Sequence, residues 1–209
     1  MRRAFPLAFA LLALSGTAAG GPDGYRLIES AAATVNGEVV FLSDVVREAC
    51  FFRCGMVPGR AAEEITLSQA REKLIADALV LQEQTKLGLG SADNAAVADA
   101  MAKAVQAKEK CSSPCAGGIT QKEIRELVLR RFLVRDFLDK RVGVFVEVND
   151  EDVRREIVRR SRSGAPPEDL SEEKVRKELQ EEKMAGDIRN WFARATSRSR
   201  IGLSPLGEP

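Results

Sequence analysis

The sequence contains no histidine among its 209 residues. Histidine is the commonest general base and a common metal ligand, so its absence excludes Ser-His-Asp and Cys-His catalysis. It also excludes every zinc site that needs an imidazole ligand. The sequence offers no candidate catalytic residue, no cofactor-binding residue and no predicted metal ligand.

Aromatic residues are scarce as well, at 5% of the chain, whereas charged residues make up 30%. This composition is typical of a helical protein with solvated helix faces. The formal net charge is only +1. Bulk nucleic-acid binding requires a concentrated basic face, so we do not expect a nucleic-acid partner.

Long hydrophobic runs are missing. The apolar run from Ala4 to Leu14 is too short for a membrane span of about 20 residues. It follows Arg2 and Arg3 and precedes the small residues of positions 16–20, which is the pattern of a signal peptide. We predict that residues 1–20 are removed, that the protein is exported to the periplasm, and that it does not span a membrane.

The stretch from Ser30 to Cys54 combines a hairpin signal with a helix start. Asn36-Gly37 separates two strand-like runs, and it favours a tight hairpin because both residues tolerate positive φ. Ser43 is a good N-cap residue, and Asp44 places negative charge in the first turn. We predict a β-hairpin followed by a helix that ends in a cysteine pair.

Five further helices follow from apolar periodicity and capping signals. The predicted helices are Leu67–Leu87 behind the capping box Thr66/Gln69, Asn94–Lys108 capped by Ser91 or Asp93, a helix behind the capping box Thr120/Glu123 that ends near Lys140, a short helix after Asn149, and one from Ser171 to about Ala195. The helix that ends near Lys140 has a charged face, which is interpreted as solvated. This face comprises Arg125, Glu126, Arg130, Arg131 and Asp136. Short strands are predicted at Val144–Val148 and Arg200–Leu203.

These elements predict a mainly α fold with a short N-terminal β-hairpin and a few short strands, closed by a long C-terminal helix. We place a helical domain at residues 21–160, a linker at 161–170, and a C-terminal helix and tail at 171–209. The tail is expected to pack back on the same body.

The four cysteines form two C-x3-C pairs, Cys50 with Cys54 and Cys111 with Cys115. An exported chain with four cysteines is expected to hold two disulfides. An i,i+4 pair on a helix is too far apart for a good disulfide, which favours bridges between the pairs. If the segments meet antiparallel, Cys50 joins Cys115 and Cys54 joins Cys111. A four-cysteine zinc site and a redox-active dithiol remain alternatives, although both usually use C-x2-C spacing.

The stretch AAATVNGEVVFLSDV, together with REKLIADALVLQEQTKLGLG, resembles the N-terminal region of SurA-type periplasmic chaperones. That family shows a strand, a turn with Asn or Gly, a strand, a Ser-Asp helix start and a Leu- and Ile-rich helix. The resemblance covers Ala31 to Val153, more weakly from Leu127 onward. The segment from Trp191 to Leu203 is similar to the family's C-terminal helix and strand.

The chain departs from the family in its middle. SurA-type proteins carry one or two parvulin-type prolyl isomerase domains there, which need on the order of a hundred residues. Only Arg154 to Leu170 is left for that region here, and the domain's histidines and its Gly-Gly-x-Leu-Gly turn are missing. The resemblance therefore implies the chaperone body without isomerase activity: not an enzyme, and without a cofactor.

On this resemblance, the expected function is to bind unfolded or extended segments of exported polypeptides, chiefly outer-membrane protein precursors. Candidate client contacts are Phe51, Phe52 and Met56, because aromatic and Met side chains make adaptable contacts. Ordinary packing around a disulfide is the alternative for all three residues.

Other functions stay open. The protein could be a periplasmic assembly or scaffold subunit with one specific partner, or a degenerate prolyl isomerase. A homodimer formed by swapping the helix from Ser171, with Ser161 to Pro167 as the hinge, is a further alternative.

Overall fold

The computed structural model describes residues 29–89, 92–141, 143, 146–164 and 166–206. The predicted signal peptide, residues 1–20, lies outside the described residues. The fold is mainly α with a small sheet and a long C-terminal helix, as predicted. In chain order the elements are β1 (Ala31–Val35), β2 (Glu38–Phe41), α1 (Leu42–Arg53), α2 (Leu67–Lys86), α3 (Asn94–Lys110), α4 (Gln121–Arg141), α5 (Asp150–Arg162), α6 (Glu172–Ser197) and β3 (Ile201–Leu203).

The three strands form one antiparallel sheet in the order β2-β1-β3. Asn36 and Gly37 make the predicted tight turn between β1 and β2, with φ of 52° and 95°. β3 joins the other side of β1, where Gly202 lies opposite Thr34. The C-terminal segment thus returns to the hairpin at the start of the fold, and β2 is left as an edge strand.

Local capping signals set most of the helix starts. The predicted capping box Thr66/Gln69 is present at α2, and the side chains of Asp93 and Ser171 cap α3 and α6. At α4, Thr120 and Glu123 exchange the hydrogen bonds of a second predicted capping box.

The predicted N-cap at Ser43 is wrong. Helix α1 begins at Leu42, directly after β2, and the side chain of its N-cap residue, Phe41, makes no capping hydrogen bond. The amide of Leu42 donates to the carbonyl of Ser30 at 2.8 Å, and the amide of Ser43 donates to the Glu29 carboxylate at 3.4 Å. The strand therefore runs straight into the helix, because Glu29 and Ser30 satisfy the first amides of the helix.

The main core lies between α1, α2, α3 and α4, below the sheet. It is built from aliphatic and aromatic side chains at helical spacing on each of these helices. Its largest fully buried members include Met56, Ile124 and Leu127. Two disulfides tie α1 to the segment after α3, so this side of the core is also linked covalently.

Helices α5 and α6 pack against each other beside this body. Trp191 of α6 contacts Phe137 of α4 with ring centroids 5.4 Å apart. The predicted strand at Val144–Val148 is wrong for residues 146–148, which lie outside any strand; Val144 and Phe145 are not among the described residues. Arg176 and Lys183 of α6 donate to the carbonyls of Val148 and Glu147, so α6 satisfies this backbone without a sheet partner.

Among the helices of the described ranges, none combines the length and apolar character that a membrane crossing requires.

Candidate functional site

A groove of about 230 Å³ runs beside β2, between that strand, α2 and α4. We call it the edge groove. Its apolar lining is Val39, Val40, Phe51, Leu74, Ala78, Leu81 and Leu127. Val39 and Val40 project to opposite faces of the sheet, because successive side chains on a strand alternate. Since both line the groove, it follows the outer edge of the strand.

The sequence of β2 leaves apolar surface exposed at this edge. Val39 is 44% exposed and Phe41 is 42% exposed, and both project from the same face of the strand. β1 occupies one side of β2, and within the described residues no strand pairs with the other. Edge strands carry unpaired N–H and C=O groups that accept a further strand.

A cluster of four charges adjoins the edge groove: Asp77 of α2 and Arg130 of α4, which line it, and Glu48 of α1 and Arg131 of α4, which contact them. Arg130 contacts Glu48 at 2.8 Å and Asp77 at 3.1 Å, and Arg131 contacts both carboxylates as well. Glu48 is completely buried and Asp77 nearly so. The cluster joins the three helices that form the walls and floor of the groove.

Burial raises the pKa of Asp77 from its ordinary value of 3.8 to about 6. The guanidinium groups of Arg131 and Arg130 oppose this shift, while Glu48 adds to it. A carboxyl group that leaves water loses hydration of its charged form, and here that loss exceeds the attraction of the two arginines. The charge along the edge groove therefore changes in mildly acidic solution.

A second groove, of about 510 Å³, lies on the other side of Arg47. We call it the disulfide groove, because Cys50 and Cys115 form part of its wall. Leu42, Val46 and Ile119 are the large apolar side chains that line it. Arg47 lines both grooves and contacts Glu123 at 2.9 Å, so one ion pair between α1 and α4 separates them.

The four cysteines form the two bridges that antiparallel segments predict. Cys50 is joined to Cys115 and Cys54 to Cys111, with Cα atoms 6.0 Å and 5.2 Å apart. Three of the sulfur atoms lie close together. A bonded disulfide offers no thiolate, and thiolates are the form in which cysteine ligates zinc. The zinc and dithiol alternatives have no free sulfur to use in this structure.

The three candidate client contacts lie in the core. Phe51, Phe52 and Met56 are each at most 3% exposed. Met56 and Phe52 pack with the buried cysteines, and only Phe51 lines the edge groove. These side chains therefore pack around the disulfides, which is the alternative that the sequence left open, and they have almost no surface to offer a partner.

The charge cluster was not predicted from the sequence. Interpreting the charged face of α4 as solvated is wrong for Arg130 and Arg131, which are largely buried by their acidic partners. A signal for the cluster exists in those partners. Glu48 lies between Val45 and Phe52, and Asp77 follows Leu74 by three residues, so each acid falls within the apolar stripe of its helix.

No family model matches the chain, and no curated protein shows significant similarity to it. The two grooves offer a free strand edge, apolar surface and carboxylates, which are groups that bind a polypeptide.

Proposed function

We propose that the protein is a chaperone that binds unfolded or extended segments of exported polypeptides, with outer-membrane protein precursors as clients, and catalyses no reaction. The observation that carries this proposal is the unpaired edge of β2 beside the edge groove. An extended segment can add to such an edge as a further strand, and its main-chain hydrogen bonds are independent of its sequence.

Apolar contact would supply the rest of the affinity. The client's side chains alternate between the two faces of an added strand, and Val39 and Val40 present apolar surface towards both faces. The four residues of β2 span about 13 Å, so a client would pair over a short length. Short pairing suits a chaperone, which must release its client.

The disulfide groove extends this surface. It adjoins the edge groove at Arg47, and exposed Val46 lines it. A segment that continues past the strand edge would bury apolar side chains there. Outer-membrane β-strands, with apolar residues at every second position, are suitable ligands because these strands aggregate in water.

The test is suppression of aggregation when an unfolded outer-membrane protein is diluted from urea, with and without the full chain. We expect suppression by the wild type and its loss in the double variant V39S/F41S. Val158→Ser is a matched control, because Val158 is 48% exposed on α5, away from both grooves.

Absence of suppression by the wild type at several-fold excess would contradict the proposal. Recovery of one stoichiometric folded partner in pull-downs, without unfolded clients, would favour the scaffold alternative instead.

A further inference from the structure

We infer that the edge groove selects extended segments in which lysine or arginine accompanies the apolar residues, and that it disfavours acidic segments. This inference rests on the proposed function and narrows its ligand class. The occupant we propose is a basic, alternating apolar peptide segment paired with β2.

The charged lining of the edge groove is predominantly acidic. Five carboxylate and two guanidinium side chains line it: Glu38, Asp44, Asp77, Glu123 and Glu126 against Arg47 and Arg130. An acidic surface attracts cationic ligands and repels anionic ones, and the low-dielectric walls of a groove strengthen both effects.

Both arginines are already paired with carboxylates. Arg47 contacts Asp44 at 2.7 Å and Glu123 at 2.9 Å. Arg130 contacts Glu48 and Asp77. A guanidinium held by two carboxylates has little charge left to offer an acidic ligand.

Two other carboxylates of the lining, in contrast, contact no arginine among the described residues. Glu38 is exposed on β2 itself, and its side chain has no ion pair or hydrogen bond within the described part of the chain. Glu126 stands on α4 across the groove, and its only ion-pair partner among the described residues is the exposed Lys122, at 3.8 Å. A lysine or arginine on a strand paired with β2 would lie between two acidic walls.

The lining of the disulfide groove also carries negative charge. Glu29 lines it, and hydrogen bonds from Ser43 and Ser30 lower the pKa of Glu29. This carboxylate therefore stays ionised in neutral and mildly acidic solution.

The acidic character is local to this side of the molecule. The whole chain has 32 lysines and arginines against 31 aspartates and glutamates, so it carries no overall excess of acidic groups. A separate cleft at the ends of α2, α4 and α6 is lined by Lys86, Arg141, Arg194 and Arg198 with the single acid Glu83. Local complementarity of this kind controls the choice of partner more than the total affinity.

The experiment measures binding of three fluorescein-labelled peptides to the full chain by anisotropy. The peptides share an alternating Val-Thr sequence and differ only in flanking residues, which are Lys, Gln or Glu. At an ionic strength of about 0.01 M, where the Debye length is about 30 Å, we expect the Lys peptide to bind roughly tenfold more tightly than the Glu peptide. At about 1 M the preference should nearly vanish.

The double variant E38Q/E126Q should reduce the ratio of Lys-peptide to Glu-peptide affinity by about threefold or more. The matched control is E109Q/E181Q, which removes two exposed carboxylates from α3 and α6, outside both grooves. This control should retain the wild-type preference.

Equal binding of all three peptides would overturn this inference and leave the proposed function intact. Binding of none of them would overturn the proposed function. An unchanged preference in E38Q/E126Q would show that the edge groove is not its source.

Discussion

At the scale of single residues, the buried charge cluster is the most unusual feature of the chain. Glu48 and Asp77 carry two carboxylates into the interior, where isolated charges lose several kcal/mol of hydration. Arg130 and Arg131 offset part of this loss, and each contacts both acids. The four residues are therefore interdependent, and removing one leaves the others without full compensation.

We expect Glu48→Gln to lower the free energy of unfolding by about 3 kcal/mol, because it leaves two guanidinium groups facing a single carboxylate in the interior. Equilibrium unfolding in urea, followed by circular dichroism, measures the change. Glu126→Gln on the surface is the matched control and should change stability by less than about 0.5 kcal/mol. A loss below about 1 kcal/mol for Glu48→Gln would show that the cluster is hydrated.

Asp77 predicts a specific pH dependence. Its pKa in the folded protein, about 6, lies above its ordinary value of 3.8, so the folded state binds more protons between these values. The stability contributed by this group is fully present below pH 3.8 and is lost as pH rises through 6. Relative to Asp77→Asn, the wild type should gain on the order of 2 kcal/mol when pH falls from about 7 to about 4.

Urea unfolding of both proteins across this pH range measures the difference. Other carboxylates titrate in both proteins. One of them is Glu156, and hydrogen bonds from Arg159 and Arg160 lower its pKa to about 2. Their effects cancel in the comparison. A difference that stays constant with pH, or grows as pH rises, would contradict the raised pKa.

At the scale of elements, Asn36 links the hairpin to the C-terminal segment. Its side-chain carbonyl accepts from the amide of Arg200 at 2.9 Å, and its side-chain amide donates to Gln82 at 2.8 Å and to Ser199 at 3.2 Å. The residue therefore serves two purposes: its positive φ makes the turn, and its side chain holds the segment that leads into β3.

Asn36→Gly separates these two roles. Glycine accepts the positive φ of the turn but makes none of the side-chain hydrogen bonds. We expect a loss of about 1–2 kcal/mol in urea unfolding and faster hydrogen exchange at the Arg200 amide. Asn36→Asp is the control, since it keeps the acceptor and also tolerates the turn. If Asn36→Gly were as stable as the wild type, the side chain would contribute nothing to holding β3.

Whether an element could be predicted from the sequence depends on how far apart along the chain the residues that determine it lie. The hairpin turn and the capping boxes at Thr66 and Thr120 were predicted, because each depends on residues at most three positions apart. The N-cap at Ser43 was wrong because the amides of α1 are satisfied by Glu29 and Ser30, which reach it through the sheet.

The candidate site depends on longer separations. Arg130 meets Glu48 across 82 positions and Arg131 meets Asp77 across 54, so no local pattern on α4 identifies their partners. The edge groove also exists only because β3 pairs with β1 and leaves β2 at the edge. The cysteines were easier to predict, because the spacing within each pair already favoured bridges between the pairs.

At the scale of the whole molecule, the body and the α5–α6 pair are stabilised differently. The body has a contiguous apolar core, two disulfides and a buried charge cluster. α5 packs chiefly against α6, and Val153 is its only fully buried side chain among those described. Its links to α6 include the ion pairs Arg160–Glu178, Arg176–Asp150 and Lys183–Asp152.

This contrast predicts the pattern of hydrogen exchange. Exposed ion pairs contribute about 0–1 kcal/mol each, so α5 should open at a lower free energy than α4. We expect its amides to exchange faster than those of α4 in mass spectrometry of the full chain. Raising the salt concentration should widen the difference, because solvent-exposed pairs are screened while the buried cluster is screened much less.

Removing the ion pairs between α5 and α6 tests the same prediction more directly. The double variant E178Q/D150N removes two of the acids that hold α5 and α6 together and should speed exchange in α5 alone. Its matched control is E109Q/E181Q, which removes two exposed acids without an ion-pair partner in the described ranges. Equal protection of α5 and α4, or equal effects of the two double variants, would mean that apolar packing alone holds α5 to the molecule.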